Sequence, residues 1–268
     1  YHIGFVLGPC INASGRLDTA ARSLALLNAK TKEEAARLAG DLTALNQSRK
    51  ALTEKGKEEA IRIIETTELK NDRVLVVYLP DCHESLAGII AGRIREKYHK
   101  PAFVLTGGET SAKGSGRSIE SYSMYEELIK CADLMIQFGG HPMAAGLSIE
   151  EKNIEEFRRR LNVNCTLTDE ELRPKVVIDV PMPVSYVTKE LVEQISLLEP
   201  FGKGNTKPVF AQKNLRVLDH SIIGKNKNAV KLKLLDPQGI SVEGIYFGEA
   251  EDFVNFIREK DSISVTYY

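Results

Sequence analysis

Residues 30–67 contain no proline and only two glycines, Gly40 and Gly56, in a run rich in Ala, Leu, Glu, Lys and Arg. These are the side chains that lose least on entering a helix. Ala35, Leu38, Leu42, Leu45 and Leu52 step by threes, fours and sevens, the spacing of one helix face. A continuous helix over this run would be about 55 Å long at the standard rise per residue. Such a length suits a connector between two bodies better than a core element. The alternative is a pair of ordinary helices broken at Gly56. Either way, the run divides the chain into a short N-terminal part and a long C-terminal part.

On the C-terminal side, Arg73-Val74-Leu75-Val76-Val77-Tyr78-Leu79 is almost unbroken apolar sequence and predicts a buried strand. Asp81 with Glu84 three residues later resembles a capping box. The helix it opens runs to about Tyr98, with Leu86, Ile89, Ile90 and Ile94 inward. Residues 101–106 predict a second strand, and the strand–helix–strand order predicts a parallel βαβ unit. Residues 111–119 predict a third strand. Ser123 and Glu126 cap a helix to about Asp133, a strand lies near Ala145 to Glu150, and Asn153 and Glu156 cap a helix to about Asn164. Before the long run, Leu17 to Ala29 also reads as a helix.

Composition changes after Cys165. Pro174, Pro181, Pro183, Pro200 and Pro208 punctuate short alternating runs at 176–180, 215–223, 230–235, 240–247 and 263–267. A helix from Thr188 to Leu198 interrupts them. Short strands separated by turn signals predict a small β-barrel or sandwich.

Three small-residue clusters stand out from this scaffold. Leu7-Gly8-Pro9-Cys10-Ile11-Asn12-Ala13-Ser14-Gly15-Arg16-Leu17 reads as a loop ending in arginine. Lys113-Gly114-Ser115-Gly116-Arg117-Ser118 offers two cations and two hydroxyls among glycines, a good donor set for a phosphate. It fits neither the P-loop pattern nor the dinucleotide fingerprint, whose third glycine position holds Ile119. Phe138-Gly139-Gly140-His141-Pro142-Met143-Ala144-Ala145-Gly146 would make a shallow floor with one imidazole on it and amides free to face an anion. Each cluster also reads, more plainly, as a turn.

Composition narrows the classes. At 268 residues and 43% hydrophobic, the chain fills one large or two ordinary domains. Its formal net charge of −1 gives no global attraction for nucleic acid, so any such site is local. No apolar run is long enough to cross a bilayer, and no signal segment opens the sequence. The opening Tyr1-His2-Ile3-Gly4 reads like the interior of a domain, so the chain is expected to be a fragment. Its four cysteines, Cys10, Cys82, Cys131 and Cys165, have no CxxC or zinc spacing and are expected reduced, in a cytoplasmic protein. His83-Glu84 begins like a zincin helix, but Ala87 stands at the second histidine position.

Taken together, in order and in spacing, the three clusters resemble the RecJ group of the DHH/DHHA1 phosphoesterases, over essentially the whole chain. The resemblance implies a 5′→3′ exonuclease specific for single-stranded DNA, acting in repair and recombination. It implies a remnant of the catalytic DHH domain at 1–29, a long connector helix at 30–68, an α/β DHHA1-type domain at 69–165 and an OB-fold-like nucleic-acid-binding domain at 166–268. Leu198-Glu199-Pro200-Phe201-Gly202-Lys203-Gly204-Asn205 resembles the segment that precedes the OB strands in that group. The metal ligands of the group lie in its DHH domain, so Mn²⁺ or Mg²⁺ is expected to be held by residues outside this chain, and no complete metal site within it. Expected partners are single-stranded DNA and, beyond it, a single-strand-binding protein or a helicase, with no membrane.

By the same resemblance, Arg16, Ser115 and Arg117 would form a pocket for a 5′ phosphate, and His141 with the amides of Gly139 and Gly140 would face the scissile phosphate. Asn12, Lys113, Gly116 and Ser118 are further substrate-binding candidates. Cys10 stands where the group often carries arginine. His83 and Arg93 match the first DHHA1 helix, where His83 would favour an anion or serve as a structural histidine. Residues 174–234 hold ten Lys/Arg against five Asp/Glu, and Lys225, Lys227, Lys231 and Lys233 would line a DNA groove or sit on a solvated hairpin. Two alternatives are a DHH/DHHA1 phosphodiesterase for short oligonucleotides or cyclic dinucleotides, and a non-catalytic module that binds single-stranded nucleic acid.

Overall fold

The structure, a computed structural model, describes residues 1–268. The chain divides into two compact units, Tyr1–Pro174 and Lys175–Tyr268.

The first unit opens with a wide helical turn, His2–Leu7, that runs into helix α1, Gly8–Leu17. The expected loop is therefore helical. Proline is tolerated in a first helical turn, and the small residues serve packing: Ala13 and Ser14 are fully buried. The Ser14 hydroxyl meets that of Ser23 on α2, Ala21–Leu27, at 2.7 Å. This α2 is shorter than the helix expected over 17–29. Helix α3 then runs unbroken from Lys32 to Thr66, 35 residues, with the Thr31 hydroxyl accepting the Glu34 amide at its start. Gly56 does not break it. A Cβ there would come within 2.5 Å of Ile90, so this glycine lets another helix cross closely.

The rest of the unit is a five-stranded sheet in the order β1-β2-β3-β5-β4. The strands are β1 Leu75–Leu79, β2 Ala102–Thr106, β3 Ala112–Arg117, β4 Met135–His141 and β5 Ala144–Ile149. Only β1 and β2 are parallel, joined through α4, Glu84–Tyr98. Period-two alternation sorts the side chains of β1 and β2 to opposite faces. Leu75, Val77, Leu79, Ala102 and Val104 pack under α3 and α4. Val74, Val76, Phe103 and Leu105 join Met124, Leu128, Phe157 and Leu161 on the other face. Those last four come from α5, Met124–Ile129, and α6, Ile154–Val163. Asn162 fastens α6 to the β1 edge: its carbonyl oxygen accepts the Arg73 and Val74 amides, and its amide donates to Val74 O.

The helix caps differ from expectation. The N-cap of α4 is His83, whose ring nitrogen accepts the Ser85 amide, not Asp81. Ser123 makes no side-chain cap, and α5 ends at Ile129. Asn153 spends its side chain on Leu134 O.

The second unit is a curled sheet of β6 Val180–Pro181, β7 Phe210–Ile223, β8 Ala229–Leu235, β9 Ser241–Phe247 and β10 Ile263–Tyr267. The long β7 pairs with β6 and β10 along its first half and with β8 along its second. Of the strand expected over 176–180, only Val180 is paired. Helix α7, Lys189–Ser196, is capped by Thr188. Helix α8, Ala250–Arg258, was not expected; it closes the core with Ala250, Val254 and Ile257 against Leu215, Val230, Leu232 and Leu234.

Candidate functional site

The basic glycine cluster is strand β3, flanked by β2 and β5, so its amides belong to the sheet ladder. Its glycines and its polar residues point opposite ways. A Cβ on Gly114 would crowd Leu105 and Leu147, and one on Gly116 would lie 2.6 Å from both Met124 and Phe103. These glycines exist because the core behind them is full, which differs from the phosphate contact expected of Gly116. Lys113, Ser115 and Arg117 alternate onto the face that carries α4.

Cross-strand pairing sets that face out in rows. Lys113, Ser148 and Gln137 form one; Ser115, Gly146 and Gly139 the next; Arg117, Ala144 and His141 the third. The β4–β5 end of this face is open, and Gln137, Gly139, Gly146 and His141 are exposed. A cleft of about 650 Å³ lies over it, walled by Glu84, Ser85 and Ala87 of α4 and floored by Ser115, Gly139 and Gly146. A Cβ on Gly139 would meet nothing within 4 Å, and one on Gly146 nothing closer than 3.8 Å. Neither glycine is required by packing, and their effect is a floor without side chains. Gly140 is different: its φ is +156°, and a Cβ would strike Ala144 O at 2.4 Å, so it serves the hairpin. The expected glycine loop is therefore the end of β4 and a two-residue turn, pinned by the Ser118 amide on Met143 O and the Met124 amide on Pro142 O. His141 stands exposed at its end with no hydrogen-bond partner in the chain.

Beside the cleft, two guanidiniums converge on the start of α4. Arg16 Nη1 donates to Ser85 O at 2.8 Å, and Ser85 Oγ donates back to Arg16 O at 2.9 Å. Arg117 Nη1 donates to Gly116 O at 2.7 Å and to Ser115 Oγ at 3.2 Å. Partial burial, and then the nearby charge of Arg16, lower the Arg117 pKa from its usual value. No carboxylate pairs with either guanidinium, whereas Lys113 is held by Glu84 at 2.7 Å and Arg93 by Glu96 at 3.0 Å. Two neighbouring cations without a counter-charge leave positive potential beside the cleft, which attracts anions.

The remaining candidates lie elsewhere. Ser118 is 1% exposed, and its hydroxyl donates to Tyr122 O at 2.5 Å, so it faces the core and not the cleft. Asn12 is exposed on α1 without a partner in the chain. Cys10 accepts a weak bond from Asn46 at the α1–α3 contact. His83 is the α4 cap, with Nδ1 2.8 Å from Ser85 Oγ. In the second unit, Lys225 and Lys227 sit on the exposed β7–β8 turn, and Lys231 and Lys233 on the exposed face of β8. Lys231 is paired with Glu243 at 3.0 Å, and Lys233 stands opposite Asp219 and Glu243. The local excess of lysine is thus partly neutralised by its own sheet. No group of three or more His, Cys, Asp or Glu side chains converges anywhere in the chain, so the residues present do not fit a divalent-metal site.

An α/β sheet of this topology followed by a small curled β unit is the arrangement of a DHHA1 domain with an appended OB domain. Residues 71–165 match the family model of the DHHA1 domain, and residues 178–268 that of the RecJ OB domain. The chain therefore carries a DHHA1 domain and a RecJ OB domain. It is 35% identical to the single-stranded-DNA-specific exonuclease RecJ of Bacillus subtilis (strain 168) over 87% of this chain and 30% of that protein. Identity to the protein of the same name from Escherichia coli (strain K12) is also 35%, over 88% of this chain and 42% of the relative. The chain therefore spans less than half the length of these relatives. A crystal structure of RecJ in complex with Mg²⁺ from Thermus thermophilus superposes with a TM-score of 0.73 at 28% identity, covering 90% of this chain and 37% of that one. The corresponding Mn²⁺ complex gives 0.73 at 27% identity, over 91% and 35%.

Proposed function

We propose that this chain is the substrate-holding part of a 5′→3′ exonuclease specific for single-stranded DNA, serving repair and recombination in the cytoplasm. Arg16, Ser115 and Arg117 receive the terminal 5′ phosphate. A terminal phosphate carries up to two charges and an internal one carries a single charge, so two unpaired guanidiniums and a hydroxyl favour the end of a strand. His141 lies in the same cross-strand row as Arg117, two strands away. Neighbouring strands lie about 4.8 Å apart, so the two positions are separated by about 10 Å, on the scale of one nucleotide. From there the imidazole donates a hydrogen bond to the scissile phosphate as charge develops on it. The side-chain-free floor of Gly139 and Gly146 takes the nucleotide between the two phosphates. Residues 1–29 belong to the catalytic domain of the longer protein, and the Mn²⁺ or Mg²⁺ it would use would be held by residues outside this chain. Lys225, Lys227 and Lys233 add sequence-independent attraction for the backbone, and Lys231 does so only by leaving Glu243.

The observation that carries this reading is the pair of guanidiniums beside Ser115 with no carboxylate partner. Fluorescence anisotropy with a short single-stranded oligonucleotide, bearing a 5′ phosphate or a 5′ hydroxyl, tests it across a salt series. The expected result is tighter binding of the phosphorylated strand, lost in Arg117→Ala. Equal binding of both strands by the unaltered chain would remove the pocket.

A further inference from the structure

Helix α4 carries two interior glycines, Gly88 and Gly92. Each costs about 1 kcal/mol of helix stability relative to alanine, so each invites a reason. Gly92 has none in its surroundings: a Cβ there would meet nothing within 4 Å. Gly88 is the opposite. A Cβ there would lie 2.7 Å from Arg117 Nη2, 2.9 Å from Ser115 Oγ and 3.3 Å from Arg117 Cζ. Gly88 follows Ser85 by three residues, so both present to the same side of α4, and Ser85 is the residue whose carbonyl holds Arg16.

We infer that Gly88 is a positioning and specificity residue: by lacking a side chain, it lets the Arg117 guanidinium and the Ser115 hydroxyl lie against α4 beside Arg16, and so sets the preference for a terminal phosphate. This rests on the phosphate-pocket reading above. The colliding atoms are the ends of movable side chains, not backbone. Alanine at 88 is therefore accommodated by the fold, and Arg117 turns away. A residue kept only for packing would give the reverse, a destabilised protein with an unchanged site.

The test compares Gly88→Ala, Gly92→Ala and Arg117→Ala in the 268-residue chain. The readouts are thermal melting, binding of the 5′-phosphorylated and 5′-hydroxyl oligonucleotides, and the Arg117 Nε–H signal in a ¹⁵N correlation spectrum, assigned by its loss in Arg117→Ala. Both glycine variants are expected to melt at or a few degrees above the unaltered chain, from the gain in helix propensity. Gly88→Ala alone is expected to shift the Arg117 signal and to cut the preference for the 5′ phosphate by about tenfold or more, the worth of one charge-assisted hydrogen bond. An unmoved Arg117 signal, or a preference retained in Gly88→Ala while lost in Arg117→Ala, overturns the role of Gly88 and leaves the pocket standing. Absence of any preference in the unaltered chain overturns the pocket and this role together, and the Arg117 signal then still reports whether Gly88 provides the clearance.

Discussion

Strands β3 and β8 carry the same pattern with different outcomes. In β3, Lys113, Ser115 and Arg117 alternate with Gly114 and Gly116; in β8, Lys231 and Lys233 alternate with Val230, Leu232 and Leu234. Both send polar side chains to one face and fill a core with the other. In β8 the intervening residues are large and build the core themselves, and the lysines look out at Glu243 and Asp219. In β3 the intervening residues are glycines because Phe103, Leu105, Met124 and Leu147 already fill that side. Its polar face lies against a helix flank where Glu84 takes Lys113 and Arg117 meets Arg16 with no carboxylate of its own. The difference thus rests on Arg117, which the fold leaves without the counter-charge that it gives Lys113 and Lys231, and which the proposed phosphate pocket would use.

Leu232→Ala removes a buried side chain from β8 and should cost about 2–5 kcal/mol of stability, read by urea unfolding; a loss below about 1 kcal/mol would deny that β8 builds its own core. Gly116→Val drives methyl groups into Met124 and Phe103 and should cost about 1–3 kcal/mol. If that variant instead kept full stability and lost only phosphate binding, the glycine would belong to the site after all. Arg117→Ala should leave melting nearly unchanged and weaken the 5′-phosphorylated strand by about 10- to 100-fold relative to the hydroxyl strand. The smallest effect sharpens the contrast. Glu243→Gln frees Lys231 from an exposed pair worth about 1 kcal/mol or less, and should steepen the salt dependence of binding slightly without changing end preference. A change in end preference in that variant would erase the distinction between the two strands.

Much of the scaffold was legible in the sequence, because it depends on period and propensity. The proline-free run gave α3, the Val- and Ile-rich runs gave β1 and β2, and the alternating runs gave most of β7 to β10. What failed was the reading of small residues. The segment from Gly8 to Gly15 read as a loop, Gly114 and Gly116 as part of a phosphate-binding set on a strand, and Gly140 as part of a loop floor, yet the first is helix α1, the next two face a crowded core and the last serves a hairpin. Only neighbours distant in sequence separate these uses. Arg16 and Arg117 were singled out by resemblance, but Gly88 was not, since nothing local distinguishes it from Gly92. Helix α8 did have a signal: Ala250, Val254 and Ile257 step by four and three. So did the cap at His83, masked by the more familiar pairing of Asp81 with Glu84.

Helix α3 is unbroken from Lys32 to Thr66. It buries Leu42 and Asn46 toward its beginning and Ala60 and Ile64 toward its end, with the intervening residues less covered. The two ends are therefore held in a fixed angular phase. Deleting one residue between them would turn one end by about 100° relative to the other, while deleting seven would restore the phase to within about 20°. Because α1 with Arg16 packs along α3, and α4 with Ser85 packs along it too, the length of this exposed middle is a gear ratio. Away from Gly56, which lies against Ile90, changes in its composition should pass unnoticed, and changes in its length should not.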